Sequence, residues 1–366
     1  MKIHDISESE KELLNTLGIY PDASLNQLLT YTSYKWASSV AKKIDQFKKQ
    51  KIIRRDTYDL DYGRLCTNPL HMLFCIVESN LSYNTVVSYL KLIEPFKWIY
   101  PVLSPHKELI NVGFFSSDDV EMVNLLQVLK DNNIISDYIV RPFRHKRMGE
   151  NPNFFGDIIP SLDNLLGRCD IPDMSLGHHD TDWGECDIAL LPYLREGYKG
   201  SKLTKILRAE MNRGRKWTYE QMKYSREKMV RNGLIEKTYA INPFPLTQCA
   251  CFNLFVKTDD ISLTQRIIYN FGRGARLYRE YVLCGDWGGI FCLSHPLFLT
   301  NLMHKLDSID EIEERELYQI RSIPAGTYHV TQSLVLKYFN FEKQTLEYPY
   351  RTYREKICEK LESEQY

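Results

Sequence analysis

Apolar residues recur at helical spacing in three stretches at the start of the chain: Ile6, Leu13, Leu14 and Leu17; then Leu25, Leu28 and Leu29; then Val40, Ile44 and Phe47. Positions three and four apart share one face of a helix, so each stretch predicts a helix with a single buried stripe. On the third, Lys42, Lys43, Lys48 and Lys49 crowd the rest of the circumference, and Ile52, Ile53, Arg54 and Arg55 then read as an extended, hairpin-like piece. Three helices with a basic third one and a β-wing form the winged helix-turn-helix arrangement, whose third helix enters the major groove of DNA. The alternative is a solvated charged helix on an ordinary helical domain.

From residue 70 the period changes. Residues 70–77 are a nearly unbroken apolar run between Asn68, Pro69 and Ser79, Asn80, which predicts a buried strand. Val86, Val87, Leu90 and Ile93 predict a helix ended by Pro95, and residues 98–103 and 109–115 a pair of strands around Ser104, Pro105, His106 and Lys107. Asp118 or Asp119 is placed to cap a helix carrying Met122, Leu125, Leu126 and Leu129, and residues 138–141 close the series as a strand. The order β-α-β-β-α-β predicts a ferredoxin-like unit, four antiparallel strands with two helices on one face. Residues 148–184, rich in Pro, Gly, Asn and Asp, read as a linker with a short helix at 162–166. His178, His179 and Asp180, with Asp182, Glu185 and Cys186 nearby, are read as a polar linker and no metal is expected, because adjacent histidines diverge and no second spaced pair follows.

The plan then repeats. Ile188, Leu190, Leu191 and Leu194, then Leu203, Ile206 and Leu207, then Met222, Met229 and Val230 predict three more helices, and strands and helices follow in the same order to residues 318–321. Ile53 corresponds to Ile235 and residues 138–141 to 318–321 at almost the same spacing, which predicts a tandem duplication. The expected class is α+β: winged helix-turn-helix units at 1–66 and 182–246, ferredoxin-like domains at 67–147 and 247–330, a linker at 148–181, and a partly helical extension at 331–366.

Composition changes this picture in two places. Lys+Arg and Asp+Glu number 47 each among 366 residues, so the chain has no global attraction for polyanions and any such binding must be local. Such patches exist: residues 34–55 hold eight basic residues against Asp45 alone, and residues 199–231 hold eleven against Glu210, Glu220 and Glu227. The nine cysteines are odd in number and scattered, which predicts free thiols and a cytoplasmic protein, and no apolar run is long enough to span a membrane.

On the third helix and its wing (Val40, Lys42, Lys43, Ile44, Phe47, Lys48, Lys49, Ile53) and on the order of elements, the chain resembles the leucine-responsive/asparagine (Lrp/AsnC) regulators, archaeal type, over about 300 residues in two copies. The resemblance implies a transcriptional regulator, not an enzyme, that binds double-stranded DNA and responds to a small effector. It implies base-reading or phosphate-gripping roles for Lys35, Trp36, Ser38, Ser39, Lys42, Lys43, Lys48, Lys49, Arg54 and Arg55. In the second copy it implies them for Arg213, Arg215, Lys216, Thr218 (also a plausible N-cap), Gln221, Lys223 and Tyr224. Family members bind the effector near a Gly-Asp-aromatic-Asp turn, which Gly285, Asp286, Trp287 and Gly288 resemble with glycine in place of the last acid. The two ferredoxin-like sheets are expected to pack as an intramolecular pseudo-dimer, with a homodimer also open, and no resident cofactor is expected. Two alternatives stand beside this reading. One is an enzyme resembling the family's sirohaem decarboxylases, with His71, His106, His145, His295 or His329 serving acid-base or propionate-binding roles. The other is a scaffold that kept the fold and lost both activities.

Overall fold

A computed structural model describes residues 6–196, 202–321 and 329–364, with the side chains of 55, 56 and 196 outside the description. The first elements are helices α1 (Glu8–Ile19), α2 (Leu25–Thr30) and α3 (Ala37–Lys49), then strand β1 (Ile53–Leu60). Leu13, Leu14, Leu17, Leu28, Val40, Ile44 and Phe47 bury the predicted stripes against one another. Next come β2 (His71–Ser79), α4 (Tyr83–Leu90), β3 (Phe96–Val102), β4 (Glu108–Ser116), α5 (Asp119–Asp131), β5 (Asp137–Phe143) and the short β6 (Met148–Glu150). Asp118 accepts from the backbone of Val120 and Glu121 and so starts α5.

The second half runs α6 (Glu185–Glu196), α7 (Leu203–Met211), α8 (Tyr219–Arg231), β7 (Ile235–Ile241), β8 (Ala250–Lys257), α9 (Ile261–Asn270), β9 (Tyr278–Cys284), β10 (Trp287–Ser294), α10 (Pro296–Asp307) and β11 (Glu314–Gln319). It closes with β12 (Val330–Thr331), the small hairpin β13 (Phe339–Asn340) and β14 (Thr345–Leu346), and α11 (Tyr350–Glu364). Helices and antiparallel sheets thus make a mixed, α+β architecture.

Two five-stranded sheets dominate, ordered β12-β3-β4-β2-β5 and β11-β8-β10-β9-β6. Their edge strands come from across the molecule. β6 follows the first sheet in sequence yet pairs with β9 in the second, and β12 follows the second yet pairs with β3 in the first. The crossing is reinforced where Leu103 N donates to Gln319 O (2.7 Å) and Arg321 N to Pro101 O (2.8 Å). Each exchange covers backbone groups that an open edge would leave to water or to another chain.

Residues 53–60, read as a wing, do not fold as the local hairpin the sequence predicts. β1 pairs antiparallel with β7, from Leu60 opposite Ile235 to Ile53 opposite Ile241. A lone strand cannot satisfy its own ladder, and each half of the chain supplies the other's partner. The expected helix at 162–166 is a set of turns, because the Asn270 side-chain amide gathers the carbonyls of Asn164, Leu165 and Gly167 at 2.8–3.2 Å. Among the described residues no helix is long and apolar enough to cross a membrane.

Every second residue of β2 and β8 faces its own helices, and the others face the opposite sheet. Leu73, Cys75 and Val77 pack with α4 and α5, and Phe252, Leu254 and Val256 with α9 and α10. Phe74 and Ile76 meet Phe255, Cys284 and Ile320 between the sheets. Strands buried on both faces read as continuous apolar runs, which accounts for residues 70–77.

The C-terminal extension is clamped to the first sheet's helices. The Tyr350 hydroxyl accepts from Ser117 N (2.9 Å) and Asp118 N (3.1 Å) at the start of α5, and Glu94 binds Lys337 (2.7 Å), Lys356 (3.0 Å) and the Tyr338 hydroxyl (2.9 Å). Burial works against the Glu94 charge, but hydrogen bonds from Lys337, Lys356 and Tyr338 outweigh it and hold the carboxyl at about 2. A carboxyl depressed on folding stabilises above its unfolded value of 4.5, and that contribution fades as pH falls toward 2. Acid titration followed by near-ultraviolet circular dichroism should therefore show the tyrosine-rich extension loosening over that interval. Glu94→Gln should be less stable than wild type at neutral pH and lose less on acidification.

Candidate functional site between the two sheets

The predicted DNA-reading residues divide by environment. Lys35, Trp36, Ser38, Ser39, Lys42 and Lys49 are exposed around α3, but Lys43 turns back to Glu10 (2.8 Å) and Gln46 (2.9 Å) and Lys48 is half-buried. Arg54 lines a cavity between the sheets, and the side chain of Arg55 lies outside the described residues. On α8, Thr218 and Gln221 are engaged with each other's backbones as a capping box. Arg213 (3.1 Å) and Arg215 (3.2 Å) pair with the buried Glu210, while Lys216, Lys223 and Tyr224 are exposed. Gly285 and Asp286 form the β9–β10 turn, and Trp287 and Gly288 begin β10. Gly285 has φ +68°, Asp286 pairs with Lys257 at 3.1 Å, and a Cβ at Gly288 would come 2.4 Å from Ile268, so α9 requires glycine where the family has an acid.

The histidines do not converge. His71 Nδ1 lies 2.8 Å from Asp119, His295 accepts from Leu297 N to cap α10, and His106 is exposed on a turn. His145 is half-buried, and His329 is exposed, 4.7 Å from the Tyr100 ring. His179 bonds Arg64 O at 3.2 Å. Among the described residues no three of His, Cys, Asp and Glu gather as a metal site.

The structure instead brings together residues that, Arg54 apart, the sequence reading passed over. Between the facing sheets lies a cavity of about 200 Å³ that is partly open to solvent. Phe74, Phe143, Phe255, Phe291 and Val282 give it an apolar wall, and Trp98 and Tyr100 extend that wall with near-parallel rings 6.5 Å apart. Trp98 lies flat over Gly113, where a Cβ would come within 2.6 Å of the indole, and donates to Asn111 Oδ1 at 2.6 Å. Glycine at 113 is therefore what lets the ring lie against the sheet.

Three cations line this apolar space: Arg54, Lys97 and Arg147. The Arg54 guanidinium stands 5.3 Å over the Tyr278 ring, and Arg147 Nη1 pairs with Glu280 Oε2 at 2.8 Å. Burial opposes the charge on Arg147, but Glu280, Tyr62 and Asp59 outweigh it and push the guanidinium up. Burial, then the Glu280 charge, holds the Tyr278 hydroxyl well above its ordinary range, and that hydroxyl donates to Glu280. The amide of Asn253, a buried side chain on β8 that lines the cavity, has an Nδ2 without a partner among the described residues. A buried donor without a partner is costly, and a ligand acceptor would relieve it. The sequence signal for it was a polar residue at the inward phase of a strand buried on both faces.

No protein-family model matches the chain, and no curated protein matches it. Among solved structures, the siroheme decarboxylase NirDL is similar over 98% of this chain and 100% of its own, at 9% identity and a TM-score of 0.47. The same enzyme in complex with an iron-uroporphyrin III analogue aligns over 93% of both chains at 9% identity and a TM-score of 0.44. A transcriptional regulatory protein of the AsnC family from Pyrococcus furiosus is similar over 37% of this chain and 88% of its own, at 14% identity and a TM-score of 0.26. The likeness to regulators thus covers little more than a third of the chain, and the likeness to the decarboxylase its whole length. This corrects the expectation of a DNA-binding regulator that is not an enzyme.

Removing Arg147 while Glu280 remains would leave a carboxylate in the cavity wall without its partner. Arg147→Met should cost about 1 kcal/mol in urea unfolding at neutral pH, since the pair is partly exposed, and adding Glu280→Gln should recover part of it by removing the orphaned charge.

Proposed function

We propose that the chain is an enzyme that takes a flat, conjugated polycarboxylate of the tetrapyrrole class between its two sheets and removes carbon dioxide from one of its carboxylate arms. The observation that carries this reading is the cavity wall: aromatic faces suited to a planar ring, three cations suited to its arms, and an unpartnered amide on Asn253. A macrocycle exceeds a cavity of about 200 Å³, so part of it would project into solvent, to which the Arg54 side chain is also exposed.

The reaction is redox-neutral. The bond between the arm carbon and its carboxylate breaks, carbon dioxide leaves, and the electron pair left on carbon takes up one proton. Arg54, Lys97 and Arg147 would hold the arms that are retained. The phenylalanine wall suits the arm that is lost, because charge spreads as carbon dioxide departs and an apolar surround favours spread charge over a localised carboxylate.

We read the architecture behind this site as two tandem copies of a winged helix-turn-helix plus a ferredoxin-like domain, with the boundaries expected from sequence, closed into an intramolecular pseudo-dimer. Matching strand orders, the mutual exchange of β6 and β12 and the β1–β7 pairing support it.

Titrating the purified full-length protein with sirohaem should give a saturable change in its visible absorption, and incubation should yield products lighter by carbon dioxide, read by mass spectrometry. Arg54→Ala should weaken binding about tenfold, the loss of one charge-assisted hydrogen bond. Asn253→Leu, which removes the donor at similar volume, should weaken it comparably. No absorption change and no carbon dioxide loss with sirohaem would end the reading.

A further inference from the structure

Strand β3 sends more side chains to the cavity than a regular strand could. Phe96 lies opposite Phe114 and Trp98 opposite Gly113, so two steps along β3 answer one along β4, and Lys97 is the extra residue of a β-bulge. In an unbroken strand Phe96 and Trp98 would share a face. The bulge breaks that alternation: Phe96 and Ile99 pack into the core beneath the helices, whereas Lys97, Trp98 and Tyr100 all line the space between the sheets. The C-terminal edge strand holds the bulge from outside, where Thr331 pairs with Trp98 and Gln332 N donates to Lys97 O at 3.1 Å.

A cation and an indole therefore stand side by side on one wall, and the indole is fixed. A Cβ at Gly113 would come 2.6–2.7 Å from three atoms of the ring, so one indole face rests on the backbone of β4. Its Nε1 donates to Oδ1 of the buried Asn111 at 2.6 Å, and the ring can neither flip nor tilt without giving up that bond. Because one face lies on its own sheet, the other is turned across the cavity toward the second sheet, where Val282, Gly289 and Phe291 line the space. Tyr100 carries the surface on at 24° to the indole, with His329 beside its ring.

We propose that this bulge builds the seat of the ring. Trp98 stacks on a flat, conjugated macrocycle, and Lys97, its chain neighbour, takes the carboxylate arm at that edge, so the chamber selects an oxidised, planar tetrapyrrole over the reduced porphyrinogen with the same arms. The proposal rests on the tetrapyrrole reading above and names the form of that class the chamber accepts. Saturated carbon bridges interrupt conjugation in a porphyrinogen and fold its pyrroles out of a common plane, whereas the oxidised ring offers one extended face to the indole. Stacked aromatic faces gain affinity beyond the area they bury. An indole already held by Asn111 and Gly113 loses no further freedom on binding, which leaves more of that gain in the affinity. Lys97 reads the charge of the arm, which both forms carry, and so favours neither.

Uroporphyrin and uroporphyrinogen, both metal-free and alike in their carboxylate arms, are the probes. Equilibrium dialysis of the full-length protein under nitrogen, with the reduced form reoxidised before it is quantified, should show wild type binding uroporphyrin about fivefold more tightly than uroporphyrinogen. Trp98→Leu should lose most of that ratio, and Trp98→Phe, which keeps a ring, should retain part of it. Lys97→Met should weaken both forms alike, about tenfold, and leave the ratio standing. A merely structural role for Trp98 lowers both affinities together with their ratio unchanged. That result, or equal affinity of the wild type for the two forms, overturns the proposal while the tetrapyrrole reading stands. Binding of sirohaem without binding of uroporphyrin overturns it too, since the ring is then held through its metal. If the wild type binds neither form nor sirohaem, the tetrapyrrole reading fails and the proposal with it.

Discussion

The contact between the inner faces of β2 and β8 is the one on which the remaining architecture depends. Phe74 meets Phe255 with ring centroids 4.7 Å apart, and Phe143 flanks Phe74 at 6.1 Å. Tilted aromatic pairs of this kind add to the area they bury. Because this contact holds the sheets face to face, the same two faces can part a few residues away and leave a lined space instead of a packed core.

Arg141 shows how finely that interface is divided. It lies on β5 between the Phe255 ring (4.8 Å) and the Trp287 ring (4.3 Å) and pairs with Glu316 at 2.8 Å. A guanidinium is weakly hydrated and lies flat on aromatic faces, which makes it the cation best able to sit there. Arg141 is held inside the contact by its two aromatic neighbours and by Glu316 at Nη2, with Nε and Nη1 without hydrogen-bond partners among the described residues, whereas Arg54, Lys97 and Arg147 line the open space beside it. The same residue chemistry thus seals one part of the interface and equips the other.

Much of the element order was legible because period and punctuation speak locally. Val40, Ile44 and Phe47 name a helix face, and residues 70–77 name a doubly buried strand, whatever lies elsewhere. What was not legible depends on distant partners. β6 and β12 are three and two residues long and carry no periodicity; they are strands only because β9 and β3 offer edges. Arg54 was read with its lysine neighbours as a phosphate contact, since a basic cluster looks the same on paper wherever it points. Asn253, Lys97, Arg147 and Glu280 lie on separate elements of both halves, and only the pairing of the sheets brings them to one wall.

The exchange of edge strands also sets a timetable for synthesis on the ribosome. β3 emerges among the first hundred residues, but the strand that covers its edge is not made until residue 330. The nascent first half must therefore wait with an open sheet edge, and with its phenylalanine face uncovered until β8 appears. The second half suffers no such delay, because β6 precedes β9 in the chain and is already waiting when its sheet forms. The first sheet thus depends on protection of its edge while the second finds its edge strand already made, an asymmetry that comes from the direction of translation.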